Sequence, residues 1–411
     1  MSTEGKVSPA VAVSGVRRRL LQGAGLGTLA LGFPLLARSA DPIKVGVLQP
    51  LSGGLENLGQ QGVQGTQLAI EEANAAGGVL GRPFELVIAD DRTDPKTAVE
   101  RTKELIQRDR VVGIFGPVTS ANRDAIQPTI DRMKTPLFYA TDYEGGVCSR
   151  YMVCYSALPG HWVDPFMPYV QEHYGDSFYL VGSDYIWPRR MNESIRRVVE
   201  GRGGKVVGEE YTPWGVKDLT STLRKIQASG ARVLVLTVVG ADAITFAKQF
   251  TAAGLKSKCR LAWFGYSENY VGGLSKEESE GIVFPANFIS TLDKPEARAF
   301  SAKVKKRFGD GAVVSNTVDA HYMLTRFFIE GIKRANSADK EKFLDAMTGF
   351  PLQSGNGMVS PGTYPETRTL NGGFCVLRVP TREEAERWAA RIAAACRCAQ
   401  EVREIMADPD V

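Results

Sequence analysis

Histidine is scarce: only His161, His173 and His321 occur in 411 residues, and they are scattered. A metal site built on imidazoles is therefore not expected. The six cysteines, Cys148, Cys154, Cys259, Cys375, Cys396 and Cys398, include no CxxC and no Cys/His spacing of the zinc type. Also missing are GxSxG, HExxH, a P-loop and a GxGxxG placed after a strand, so none of those catalytic mechanisms has its anchor. No enzymatic activity, metal or cofactor is therefore expected. No apolar run has the length of a confident bilayer span; the 14 residues 23–36 fall short of it.

Net basicity is missing too, once the ends are separated. The whole chain is +4, with 50 basic and 46 acidic residues. Residues 1–40 carry five of the bases (Lys6, Arg17, Arg18, Arg19, Arg38) and one acid (Glu4), so 41–411 holds 45 of each. A formally neutral body gives no electrostatic reason to bind nucleic acid or an anionic membrane.

What is present begins with that basic end. Arg17-Arg18-Arg19 and Leu20-Leu21 precede the Ala/Gly/Leu-rich run 23–36, and the small residues Ala37, Ser39 and Ala40 follow. This is the order of an export signal, with arginines resembling a twin-arginine leader. Cleavage falls after Ser39 or after Ala40, and no cysteine nearby supports a lipid anchor. In an exported protein, Cys148 and Cys154 either bridge one local loop or stand as separate thiols.

The body is long enough for two cores. Apolar runs alternate with amphipathic segments: strands over 43–50, 84–90, 111–115 and 136–141, helices over 67–76, 94–108 and 119–133, and a glycine-rich loop over 51–65. The pattern then restarts, with strands over 177–182, 205–207, 232–239, 259–264 and 281–284. Helices lie between them over 165–174, 190–201, 218–229 and 241–253. Alternation of this kind means βαβ units and parallel sheets. Helices over 294–308, 316–335 and 340–347 follow, then a β-rich end (357–359, 369–379). The last segment, 381–411, is an amphipathic helix with Ala385, Trp388, Ala389, Ile392, Cys396, Ala399 and Val402 on one face.

The stretch 111–126, VVGIFGPVTSANRDAI, organises the first unit. A buried strand is stopped by Gly116-Pro117. Thr119, Ser120 and Asn122 are each capable of capping the helix that follows. A helix starting at the carboxyl end of a parallel strand aims free N–H groups into the crevice where open α/β sheets bind ligands.

Several motifs occur together in an order that resembles one family. IKVGVLQP with Ser52-Gly53, NAAGGVLGRPFELVIADD and GPVTSANRDAIQP resemble the solute-binding proteins of ABC importers, in their branched-chain amino-acid and amide branch. YATDYEGGVCSRYMVCYSALP, VGSDYIWPRRMN, LTVVGADA, ANFISTLDKPEARAF and NTVDAHYMLTRFFIEGI look like the urea and short-chain amide binders. The resemblance covers roughly 43–380. It implies the α/β type I periplasmic-binding-protein fold, in which two parallel-sheet lobes are joined by a three-stranded hinge. Lobe one would hold 41–156 with 288–345, and lobe two 157–287 with 346–380. It also implies a periplasmic location, a membrane permease as partner, and a small polar ligand between the lobes: urea, an amide or an amino acid.

The resemblance places Ser120, with Thr119 beside it, against the ligand's carbonyl or carboxylate. Val118 stands where the related amide sensor has a tyrosine. Thr141 ends a strand at the same edge, within T-x-Y-E-G, with Tyr143 and Glu144 facing either the ligand or the loop. From the second lobe, Tyr185, Trp187 and Asp184 follow one strand, Gly240 and Asp242 another, and Ser267 and Glu268 a third. Asp142, Glu144, Asp184 and Glu268 are all candidate partners for an ammonium, so an amino-acid ligand stays open beside urea. A cytoplasmic amide sensor of the same fold is the further alternative, opposed by the leader.

Overall fold

Two parallel sheets, in each of which the order of strands reverses beside an inner strand, carry the chain. The computed structural model describes residues 41–347, the backbone of 351–353 and 359–361, and four isolated positions between 381 and 387. The leader over 1–40, most of the β-rich end and the C-terminal helix expected over 381–411 lie outside the described residues. No helix among the described residues is long and apolar enough to cross a membrane.

The first sheet is built from β1 (Ile43–Gln49), α1 (Glu56–Ala75), β2 (Phe84–Asp90), α2 (Pro95–Gln107), β3 (Ile114–Phe115), α3 (Ser120–Arg132), β4 (Leu137–Tyr139) and β5 (Met152–Cys154). Its strand order is β2-β1-β3-β4-β5, all parallel. The chain then continues through α4 (Pro159–Tyr174), β6 (Ser177–Ser183), α5 (Ile186–Gly201), β7 (Lys205–Thr212), α6 (Thr220–Ser229), β8 (Val233–Thr237), α7 (Ala241–Ala252) and β9 (Arg260–Trp263). The second sheet runs β7-β6-β8-β9, again parallel. Short helices α8 (Glu268–Val271) and α9 (Lys276–Ser279) follow, then α10 (Pro295–Phe308), α11 (Asn316–Ala335) and α12 (Lys340–Ala346). A two-stranded antiparallel ribbon, β10 (Pro351–Gln353) with β11 (Val359–Pro361), completes the described chain.

Helices α10 to α12 come after the second sheet but pack on the first. Val304, Phe328 and Phe343 share a core with Val45, Phe115 and Phe138. The chain therefore leaves the first sheet after β5 and returns before α10. The aromatic centre of this core is Phe328, whose ring lies 5.2 Å from Phe138, 5.3 Å from Phe343 and 5.6 Å from Phe115. A second tie is buried His321. Its Nδ1–H donates to the Thr317 carbonyl at 2.8 Å and its Nε2 accepts from the Gln49 amide at 2.9 Å. That pattern fixes one neutral tautomer, and burial lowers the imidazole pKa to about 4.

Several expectations are corrected. The glycine-rich segment 51–65 is largely helix, since α1 starts at Glu56. Its glycines are packing devices: a Cβ on Gly65 would meet the Val318 carbonyl and His321 on α11. The strand over 111–115 is the two-residue β3, although the Val112 N–H still bonds Lys44 of the neighbouring strand. The strand over 281–284 reduces to one bridge between Val283 and Ala262. Strand β5 was not foreseen, because three half-buried residues in a polar loop carry no periodic signal. For Cys148 and Cys154, where the sequence leaves both alternatives open, the structure has no bridge between the two: Cys154 is a thiol at the end of β5, where burial raises its pKa to about 11.

Two stability outcomes follow. Truncating Phe328 to alanine removes the hub of the ring cluster and is expected to cost about 3–5 kcal/mol, read from guanidinium unfolding. His321 binds its proton less tightly folded than unfolded, so its contribution is present above pH 6.5 and lost as pH falls toward 4. The span corresponds to about 3 kcal/mol. His321→Gln is expected to flatten the acid limb of the stability profile relative to wild type.

Candidate functional site

In each sheet the strand order reverses beside a central strand: β2-β1-β3 in the first and β7-β6-β8 in the second. Loops leaving the carboxyl ends of strands on either side of such a point diverge and open a crevice. The loops after β1, β3 and β4 meet those after β6 and β8 there. The approach is close. Gly240, at the end of the β8 loop, lies against the β1 loop, where a Cβ on it would sit 2.6 Å from Leu55 Cδ2 and 2.7 Å from the Gly54 carbonyl oxygen. Its φ of +68° independently favours glycine. The Gly240 N–H donates to the Tyr270 hydroxyl at 3.2 Å. A pocket at this contact is lined by Gly54, Leu55, Gly240, Ala241, Asn269 and Tyr270.

At the start of α3, Thr119 is the N-cap, its hydroxyl accepting the Asn122 N–H at 3.1 Å. Ser120 is buried, and its hydroxyl donates to Glu144 Oε2 at 2.7 Å. The Glu144 carboxylate forms an ion pair with Arg123, whose side chain is 2% exposed. The Arg123 guanidinium also lies 5.1 Å from the Tyr139 ring centroid and 5.5 Å from that of Tyr143. Burial pulls the guanidinium pKa down, but Tyr139 and Glu144 more than offset it. With its proton committed to Glu144, the Ser120 oxygen is left as an acceptor, and Arg123 Nη1 approaches it at 3.4 Å.

Tyr185 is the contribution of the second sheet that reaches this cluster. Burial drives its phenol well above the ordinary value, and Tyr139, Glu144 and Tyr270 add to the effect through space. Helices α3 and α5 are also in contact across the gap. On its other side, Tyr185 packs on the half-exposed Trp214 ring at 5.4 Å.

The other expected site residues separate into two groups. Two keep a buried polar atom with no hydrogen-bond partner among the described residues: Thr141 Oγ1 and Trp187 Nε1. The rest of Trp187 belongs to the core of the second sheet. The remaining residues are engaged elsewhere. Asp184 is exposed and paired with Arg189 at 2.6 Å. Asp242 accepts the Gly215 N–H at 2.8 Å. Ser267 caps α8, and Glu268 accepts the Ser290 N–H at 2.6 Å. Asp142 bonds the segments that cross between the sheets, and burial raises its pKa to about 6. Sequence reading missed Arg123, Tyr139, Tyr270 and Trp214. For Arg123 a signal existed, since helical spacing puts it on the inward face of α3 beside Asn122 and Ile126, where a charge demands a partner.

The pattern of the periplasmic binding protein family matches residues 42–384. Among curated proteins, the chain is 26% identical over 339 residues to the leucine-, isoleucine-, valine-, threonine-, and alanine-binding protein of Pseudomonas aeruginosa, covering 79% of this chain and 87% of that one. Two solved structures share the fold. The branched-chain amino acid transporter substrate binding protein of Streptococcus pneumoniae, in complex with isoleucine, superimposes with a TM-score of 0.70 at 21% identity, covering 77% of this chain and 90% of that one. A solute binding protein of an ABC transporter from R. palustris, in complex with benzoate, gives 0.71 at 20% identity, covering 77% and 88%.

The buried ion pair makes an asymmetric prediction. Arg123→Gln leaves the Glu144 carboxylate buried without its counter-charge and is expected to destabilise by about 3–5 kcal/mol. Replacing Arg123 by Met and Glu144 by Leu together is expected to cost clearly less. Guanidinium unfolding of Arg123→Met, Glu144→Leu and the double variant, alongside Arg123→Gln, measures the coupling.

Proposed function

The chain belongs to the periplasmic binding protein family, and from that premise we propose that it is the solute-capturing component of an ABC importer, with urea or a short-chain amide as its ligand. In this reading it is exported behind the leader at 1–40 and acts in the periplasm. Lobe one comprises 41–156 with 288–345, and lobe two 157–287 with 346–380. The lobes close on the solute by bending at the segments between them. Closure changes the joint surface that a membrane permease meets, so loaded and empty forms are distinguished without any chemistry on the ligand.

The observation that carries the ligand class is the state of the acidic residues. Asp142, Asp184, Asp242 and Glu268 each accept from a protein donor, and Glu144 is paired with Arg123. An α-ammonium needs a committed anionic partner when desolvated, and in this reading none of these residues is set aside for one. A neutral amide asks for less. The Thr141 hydroxyl and the Trp187 indole N–H are donors without protein partners, suited to a carbonyl oxygen. Ser120 lone pairs and the Glu144 oxygens suit N–H groups. Tyr185 supplies a flat apolar cover.

A second reading, a branched-chain or other amino acid as ligand, is favoured by the similarity to the leucine-, isoleucine-, valine-, threonine-, and alanine-binding protein of Pseudomonas aeruginosa and to the isoleucine complex from Streptococcus pneumoniae. Calorimetric titration with urea, acetamide, formamide and leucine separates the two. The amide reading expects heat from urea or one of the amides and none from leucine. Heat from leucine alone selects the second reading.

A further inference from the structure

Asp142 follows β4 in the T-x-Y-E-G stretch that the sequence assigns to the ligand, yet its partners lie elsewhere. Its Oδ1 accepts from the Ser156 hydroxyl and from the Ala157 N–H at 3.0 Å, both on the segment leaving the first sheet. The same oxygen accepts from the Asn287 amide at 3.1 Å, on the segment returning to it. Its Oδ2 accepts from the Asn316 amide, at the first residue of α11, at 3.4 Å. Asn287 is held from the other side, because its Oδ1 accepts the Trp162 indole N–H at 2.7 Å. Trp162 belongs to α4 and to the core of the second sheet. One carboxylate thus ties two of the crossing segments to the first sheet's helix α11 and, through Asn287, to the body of the second.

We propose that Asp142 is the pin of the hinge, a positioning residue that sets the relative angle of the two lobes, and not a ligand contact. The inference rests on the two-lobe closing reading above but not on the identity of the solute. A buried carboxylate is stable only while its donors stay in place. Those donors sit on the segments whose torsions must change on closure. The carboxylate therefore restricts the crossing segments to arrangements that keep Ser156, Ala157, Asn287 and Asn316 converging on one point. A hinge held this way rotates about Asp142 instead of loosening.

The test uses the full mature chain without ligand. Small-angle scattering and hydrogen-exchange mass spectrometry are compared for wild type, Asp142→Asn and Asp142→Ala. The expected result for the alanine variant is a larger radius of gyration and faster exchange confined to peptides over 155–158 and 284–292, with β1 and β6 unchanged. Asp142→Asn, which keeps an acceptor oxygen, is expected to shift both readouts less. Should Asp142→Ala not fold, Ser156→Ala and Asn287→Ala each remove one donor and are expected to shift the same readouts in the same direction. The proposal is overturned if the folded variants scatter and exchange like wild type, or if a lowered melting temperature comes with exchange spread over the whole first sheet. It is also overturned if leucine stabilises wild type but not Asp142→Asn while scattering is unchanged, which makes Asp142 a ligand contact. Scattering is read without solute, so a titration in which no urea, amide or leucine binds overturns the ligand reading and leaves this result standing.

Discussion

A guanidinium with 2% of its side chain exposed cannot stand alone inside a protein, and the crevice is arranged around satisfying Arg123. Of its two counter-charges, the half-exposed Asp124 lies on α3 itself, whereas the buried Glu144 comes from the loop after β4. The pair with Glu144 therefore fixes the distance between the end of β4 and the first turn of the helix that follows β3. Ser120 is drawn in as a hydrogen-bond donor to the same carboxylate, and the rings of Tyr139 and Tyr143 lie within cation–π range. Removing the pair would cost both the ion pair and the geometry of the wall that faces Tyr185.

That arrangement changes what the helix N-terminus offers. A start of α3 with a free hydroxyl invites an anion. Here an internal carboxylate, itself paired with Arg123, already takes the hydroxyl's proton, so Ser120 has no hydrogen left to donate to a ligand carboxylate.

The architecture was legible because it rests on periodicity. Continuous apolar runs such as VLVLT in β8 read as fully buried parallel strands and are found so. Helix α11 matches its expected bounds because Ser315, Asn336 and a thirteen-residue buried face mark its ends and its side. What failed were places where residue type has two meanings. Glycine at 59, 62 and 65 reads as loop, but small residues also let α1 approach its neighbours. Aspartate and glutamate at strand ends read as ligand partners or as acceptors for the protein's own donors. For Asp142 the choice turns on Asn287, 145 residues away, which local patterns do not encode. Arg123 shows the converse: its burial was implied by helical spacing, and its partner was not.

The contact of Gly240 with Gly54 and Leu55 bears on how closure is driven. It is made mainly by backbone and one leucine tip, with a single long backbone approach of 3.5 Å from the Ala241 N–H to the Gly54 carbonyl. In the two-lobe reading proposed above, such a contact acts as a stop. Thr141 Oγ1 and Trp187 Nε1, buried without a hydrogen-bond partner among the described residues, are the groups that this reading leaves for a solute. Under it, the balance between open and closed forms is set by a molecule that fills them, because a ligand shifts an equilibrium only by its difference in affinity for the two states.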